Sequence, residues 1–266
     1  LHVLRCFDND NIVHVDGSVD PLRDKETIDL ELQLKDLETV EKRLEKVGRA
    51  ARTGNKEAIK EQEVLQQVHE GLSAATSVRA LSIADDDRFA YVKTMQLLTD
   101  KPVLYVCNVD ESSAVSGNAY VKQVRKIAAA EQADVLVLAV STEADINELD
   151  TYEERQLFLD DLGLTEPGAA KLIRAAFAML NLHTYFTVGP KEVRAWTVLQ
   201  GATAPQAAGV IHTDFEKGFI RAEVISYTDY DNYESEVKVK EAGKMRVEGK
   251  DYIVQDGDVM HFRFNV

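Results

Sequence analysis

The sequence predicts an α/β chain in three parts. These are the second half of a doubly wound α/β domain, an antiparallel helical hairpin inserted into it, and a small C-terminal α+β sheet of the β-grasp kind. Three observations carry this expectation. Strand-like and helix-like runs alternate over residues 1–19 and 85–180, as in a layered α/β fold. Between them, over about 20–84, Leu30, Leu34, Leu37, Val40, Leu44 and Val47 recur at spacings of 4, 3, 3, 4 and 3, close to a heptad stripe. Over 181–266 two strand-like runs, a short helix and further strands follow one another closely.

Taken in order, residues 1–7 read as a strand, and 9–15 as a polar turn followed by an apolar pair. The long apolar stripe is answered by Ile59, Val64, Leu65, Val68 and Leu72 on a return helix. The turn between them is Arg52-Thr53-Gly54-Asn55, with Gly54 and Asn55 suited to positive φ. Residues 103–106 and 135–140 are strand-like, and 121–130 and 169–180 helix-like. In the last part, 184–188 and 193–199 are strands, and Thr203 caps a short helix with Pro205 in its first turn, ending at Ile211. Residues 219–227 and 259–264 are further strands, the second after the turn Asp256-Gly257-Asp258.

Composition narrows the classes. The apolar share of 45% supports packed cores. No apolar run reaches bilayer length, and the start lacks a signal-peptide pattern, so the cytoplasm is the expected location. Cys6 and Cys107 lie in strand-like runs and read as buried free thiols. Net charge is −15, unevenly spread. Between Lys42 and Lys60, seven cations (Lys42, Arg43, Lys46, Arg49, Arg52, Lys56, Lys60) face two anions, Glu45 and Glu57; from Asp85 to Leu180, nine cations face seventeen anions. A basic projection on an acidic body finds polyanions that the body repels.

The chemistry concentrates after residues 102–106, where Asn108-Val109-Asp110-Glu111 closes the strand. In a doubly wound sheet, ligands bind at that end. An Asn-x-x-acid tetrapeptide there is how P-loop switch proteins grip a purine, although polar residues end many strands. No G-x-x-x-x-G-K-[ST] run occurs, and the chain opens at Leu1 inside a strand. The expectation is the larger, C-terminal portion of a nucleotide switch. A guanine reader needs an Asp that accepts from the ring N–H and the exocyclic amine; adenine presents an acceptor at N1 and is better read by Asn or backbone groups. Glu111 is one methylene longer than that Asp and Val109 replaces the usual Lys, both weakening the guanine geometry.

His14 follows the polar turn, where it could orient water during phosphoryl transfer or simply sit half-buried. His2, His69, His183, His212 and His261 lack metal-ligand spacing, so no metal site is expected. The carboxylate-rich stretch 143–161 reads as a solvated face. At the hairpin tip two acids cannot neutralise seven cations, and with no aromatics there, contacts should be to phosphates rather than bases.

Several runs resemble the YchF family, the Obg-like ATPases. These are GATAPQAAG at 201–209, IHTDFEKGFIR at 211–221, GKMRVEGKDYI at 243–253 and DGDVM at 256–260, with RCFDNDNIVH at 5–14 and KEVRAW at 191–196. The resemblance implies a P-loop ATPase domain (1–19 with 85–180), an inserted helical hairpin or coiled coil (20–84) and a TGS domain (181–266). It implies ATP with Mg²⁺ as ligands and ribosome or ribosomal RNA binding, with no membrane and no DNA-sequence recognition. Asn108, Val109 and Glu111 match the family's adenine-selective Asn-x-x-Glu motif, and Ser141 falls in the loop closing over the base. His14 matches the mobile-loop His proposed to replace the usual catalytic Gln. The phosphate loop and the Mg²⁺ ligands lie upstream of Leu1, so this polypeptide alone is expected to hydrolyse nothing. A non-catalytic ribosome-binding module and a GTPase are the rival expectations.

Overall fold

The structure is a computed structural model describing residues 1–189 and 192–265; Lys191 of the KEVRAW run lies outside the described residues. It has two compact units, Leu1–Ala175 and the remainder from Ala176.

In the first unit, β1 (His2–Arg5), β2 (Leu104–Asn108) and β3 (Asp134–Leu138) form a parallel sheet in that order, with β2 central. Period-two alternation puts Leu4, Cys6, Tyr105, Cys107 and Val109 on one face. There they pack against Val121, Val124 and Ala128 of α4 (Ala119–Ala130). Both cysteines are buried free thiols. Asn118 caps α4 through the Val121 amide, and its Nδ2 donates to the Cys6 carbonyl at 2.7 Å, tying β1 to that helix.

α1 (Pro21–Ala51) and α2 (Lys56–Ser73) form the hairpin. Its antiparallel sense shows in the seam, where Val47 meets Ala58 and Leu65 while Val40 meets Val64, Val68 and Leu72. Gly54 takes φ +81°, but Asn55 is extended and caps α2 through the Ala58 amide rather than adopting positive φ. The expected stripe also fails in the first half of α1. Leu30 and Leu34 are 50% and 56% exposed, and Lys25, Gln33 and Asp36 are buried instead. That half faces irregular chain at 75–99, whose buried backbone amides need acceptors. Asp36 takes the Leu98 and Thr99 amides at 2.8 and 2.7 Å and the Thr99 hydroxyl at 2.7 Å; Gln33 donates to the Ala75 carbonyl at 3.2 Å. On α2, Ile59 is exposed and lies outside the seam. The chain returns to β2 through one turn of α3 (Asp85–Asp87) and short 3-10 and π turns, pinned by an Arg88–Asp100 ion pair.

After β3 come α5 (Val140–Glu148), α6 (Tyr152–Asp161) and α7 (Gly168–Met179). The strand expected to reach Val140 stops at Leu138, because Val140 already belongs to α5. Gly168 starts α7 against β3; a Cβ there would stand 2.0 Å from Leu138.

The second unit is a five-stranded sheet ordered β5-β4-β8-β6-β7: β4 (Leu182–Val188), β5 (Val193–Leu199), β6 (Phe219–Ile225), β7 (Arg246–Glu248) and β8 (Val259–Phe264). β4 runs parallel to β8 and antiparallel to β5. Its core joins Tyr185, Val198, Ala222, Val224, Met260 and Phe262 to Ala204, Ala207 and Ala208 of α8 (Ala204–Ile211), which is capped at Thr203 with Pro205 in the first turn. The strand expected through Tyr227 ends at Ile225, where Ser226 caps α10 (Tyr227–Tyr233) through the Asp229 amide. α9 (Thr213–Lys217), α10, α11 (Glu236–Glu241) and β7 were not read from the sequence.

Candidate functional site

The parallel sheet ends in a cluster built from the C-terminal residues of β2 and the start of α5. Asn108 closes β2, and its Oδ1 accepts the Val140 amide at 3.1 Å. The next amide, that of buried Val109, donates to the Leu138 carbonyl at 2.8 Å. The expected tetrapeptide and the segment 139–141 are therefore joined directly. Asp110 turns the chain, accepting the Ser112 hydroxyl at 2.5 Å and the Ser113 amide at 3.0 Å. Hydrogen bonding from Ser112, with smaller help from Ser113, holds its carboxyl below the ordinary value. Glu111 is exposed, and its side chain meets no partner among the described residues. Ser141 is exposed in the first turn of α5, not in a loop; its placement corrects the expected base-closing loop to a helix N-terminus. The carboxylate of Glu143, read as part of a solvated face, instead accepts the Gly168 and Ala169 amides at 2.7 and 3.1 Å and caps α7. Beside it, the buried Thr142 hydroxyl has no hydrogen-bond partner among the described residues.

His14 lies in the segment leaving β1, a segment gathered by Arg5, whose guanidinium donates to the carbonyls of Phe7, Asn9 and Ile12. The His14 Nδ1 accepts the Asp16 amide at 3.2 Å, which leaves its proton on Nε2, 2.9 Å from Asp24 in the first turn of α1. Both ring nitrogens are thus engaged by protein, whereas the expected role needs one facing water. Donor atoms of His14, Asp16 and Asp24 lie within 4.8 Å of one another, a grouping able to hold a metal. The Arg23 guanidinium stands against both carboxylates, at 3.5 and 3.1 Å, and supplies the countercharge itself.

The basic hairpin tip is smaller than its composition implies. Lys42 pairs with Glu38, Arg43 with Glu61 and Lys60 with Asp87, each at 2.5 Å. The expectation that this segment cannot neutralise itself counted only acids between Lys42 and Lys60 in sequence. Helical i,i+4 pairing brings in Glu38, the facing helix Glu61 and α3 Asp87, all acids outside that window. Lys42 and Lys35 pull the Glu38 carboxyl down to about 2. Lys46, Arg49, Arg52 and Lys56 are exposed and enter no ion pair among the described residues. Arg49 and Arg52 also line a polar hollow of about 420 Å³ with Gly48 and Gln62.

Comparison with known proteins adds to this geometry. A YchF-GTPase C-terminal family model, described as a protein of unknown function (DUF933), matches residues 182–265. The chain is 53% identical over 265 residues to a ribosome-binding ATPase YchF of Haemophilus influenzae, covering 100% of this chain and 72% of that protein. Its identity to the protein of that name in Bacillus subtilis is 49% over 267 residues, again covering 72% of the relative. To Obg-like ATPase 1 of Rattus norvegicus it is 41% over 270 residues, 68% of the relative. The solved structure of the Schizosaccharomyces pombe YchF GTPase superposes with a TM-score of 0.83 at 34% identity, covering 98% of this chain and 71% of that one.

Proposed function

The chain belongs to the YchF family, and we propose that it serves a cytoplasmic, ribosome-associated ATPase that binds ATP in preference to GTP. The observation that carries the nucleotide reading is the Asn108–Val140 hydrogen bond, which sets the Asn-x-x-Glu tetrapeptide and the first turn of α5 around one strand end. That is where a doubly wound sheet takes its ligand. With its Oδ1 and the Val140 amide bonded to each other, Asn108 offers its Nδ2, and the amides that follow Val140 in the first turn offer further neutral donors, to a purine. Adenine, with its N1 acceptor and amine donor, suits such partners better than a carboxylate. Glu111, exposed at the rim, borders the base, and Val109 lends packing beneath it.

These strand-end residues supply base contacts only. Binding the phosphates and Mg²⁺ needs a phosphate loop, and the sequence contains no G-x-x-x-x-G-K-[ST] run. The 266-residue polypeptide by itself is therefore inactive in this proposal, since phosphoryl transfer rests on charge stabilisation at the phosphates. His14 assists attack by water after releasing Asp24, a rearrangement that would free Nε2.

Ribosome contact is assigned to Lys46, Arg49, Arg52 and Lys56 at the hairpin tip, through RNA phosphates, with Lys42, Arg43 and Lys60 contributing less because they are already paired. Among the described residues, no helix is long and apolar enough to cross a membrane. Co-sedimentation with ribosomes over a salt series tests this assignment. Reversing charge at Lys46, Arg49 and Lys56 should weaken binding and flatten its salt dependence. Unchanged binding and slope would remove the tip from the interface. Binding indifferent to nucleotide, in a polypeptide of the relatives' full length, would favour the non-catalytic module.

A further inference from the structure

The sheet of the second unit has two edges of different construction. β7 has only three residues and carries Arg246 and Glu248, a short charged edge that resists adding a strand. β5 runs seven residues in continuous register with β4 and contains no Pro, Lys or Gly. Its single charge, Arg194, lies over the Trp196 ring, 4.1 Å from the centroid.

The free backbone groups of β5 follow from two hydrogen bonds at the ends of its ladder. The Gln200 amide donates to Asn181 at 2.8 Å, and the Gly189 amide to Glu192 at 2.9 Å. Antiparallel bonding alternates by two residues. Arg194, Trp196 and Val198 therefore bond inward to β4, while Val193, Ala195, Thr197 and Leu199 direct N–H and C=O groups outward. Of these, among the described residues, only the Leu199 carbonyl is taken, by the Ala202 amide at 3.1 Å. The side chains of the same four residues are exposed, Val193 at 69% and Leu199 at 63%. Beside the end of β5 a groove of about 570 Å³ opens toward α8, lined by Leu182, Val198, Leu199, Gln206, Val210 and Glu216. Glu216 is the single charge in that lining.

We propose that the β5 edge docks an extended peptide segment of another protein, which adds as a further antiparallel strand and sets an apolar side chain, with a basic neighbour, in the groove against α8. A row of outward amides and carbonyls at the strand repeat is matched by another extended backbone. The outward Val193, Ala195 and Leu199 select apolar residues on one face of that peptide, and Glu216 selects the cation. A second copy of the chain fits less well, because each copy brings a net charge of −15. The inference is independent of the nucleotide reading.

The test selects random peptides of about ten residues, long enough to span the strand, on the full 266-residue chain and measures their affinity by fluorescence anisotropy. Enriched sequences should alternate apolar residues and carry Lys or Arg. Thr197→Pro removes an outward donor and leaves the β4 ladder intact. It should weaken binding about tenfold, the value of one or two backbone hydrogen bonds. Ala195→Lys, which alters no backbone bond, should do the same, and Glu216→Lys should reverse the preference for basic peptides. Val247→Lys on the opposite edge should change nothing. The proposal is overturned if no sequence enriches, or if enriched peptides bind Thr197→Pro and Ala195→Lys as tightly as the parent. A dimer in sedimentation velocity that Ala195→Lys dissolves would make the second copy the occupant and overturn it equally.

Discussion

The two halves of α1 bury opposite kinds of side chain on one continuous helix. Beyond Leu37 the buried positions are Val40 and Val47, facing the apolar stripe of α2. Before it, after Pro21 in the first turn, they are Lys25, Gln33 and Asp36, facing irregular chain and the end of α4. Lys25 bridges Asp29 and Glu131 at 2.6 Å each and lies 5.6 Å from the centre of the Tyr105 ring. The partner sets the chemistry. A helix facing a helix meets saturated backbone and needs only apolar fit, whereas a helix facing irregular chain must satisfy its amides.

The strongest way to break this contrast is Asp36→Ala, which strands two amides and a hydroxyl in the interior. It should cost about 3–4 kcal/mol in urea unfolding, and a cost below that of a core truncation would contradict the assignment. In the apolar half, Val40→Ala should cost about 2 kcal/mol by the same measurement. Lys25→Met should cost about 1 kcal/mol at neutral pH and change the pH response. Burial works against the Glu131 carboxylate, but the Lys25 ammonium and the Tyr105 hydroxyl more than offset it, so its pKa lies below the ordinary value. A carboxyl depressed by folding stabilises above its unfolded value of about 4.3, and that stabilisation is lost as pH falls through the lower folded value. Removing the Lys25 partner should make acid destabilisation shallower over that window, and an unchanged slope would assign it to other groups. The smallest effect is expected at exposed Leu34, where Leu34→Gln should stay within about 0.5 kcal/mol. A loss as large as that of Val40→Ala would restore the stripe read from the sequence.

The same logic explains what was legible in the sequence. Short apolar, strand-like runs marked β2, β4, β5 and β8, and Thr203 with Pro205 marked α8; β2, buried along most of its length as the central strand, reads as a continuous apolar run. Heptad spacing gave the hairpin and its seam at Val40 and Val47, but it carried the stripe on to Leu30 and Leu34, where the partner is not a helix. α10 was hidden because Tyr227, its first residue, reads as the end of the preceding strand until Ser226 is recognised as a cap. At the strand end, Asn108 was legible through its place after an apolar run. Its bond to Val140 was not, since it joins residues 32 apart. Glu143 was lost among neighbouring acids, and only its contact with the start of α7 separates it from them. The tip cations were counted correctly, but which of them remain unpaired depended on Glu38, Glu61 and Asp87, acids that a contiguous window did not weigh.

The most direct test of the proposed nucleotide site is competition between ATP and GTP for a polypeptide of the relatives' full length, with Asn108→Asp measured alongside. ATP should bind more tightly, and Asn108→Asp should erase much of that preference by placing a carboxylate where adenine presents an acceptor. GTP binding as tightly as ATP, or a preference untouched by Asn108→Asp, would contradict base reading at the end of β2.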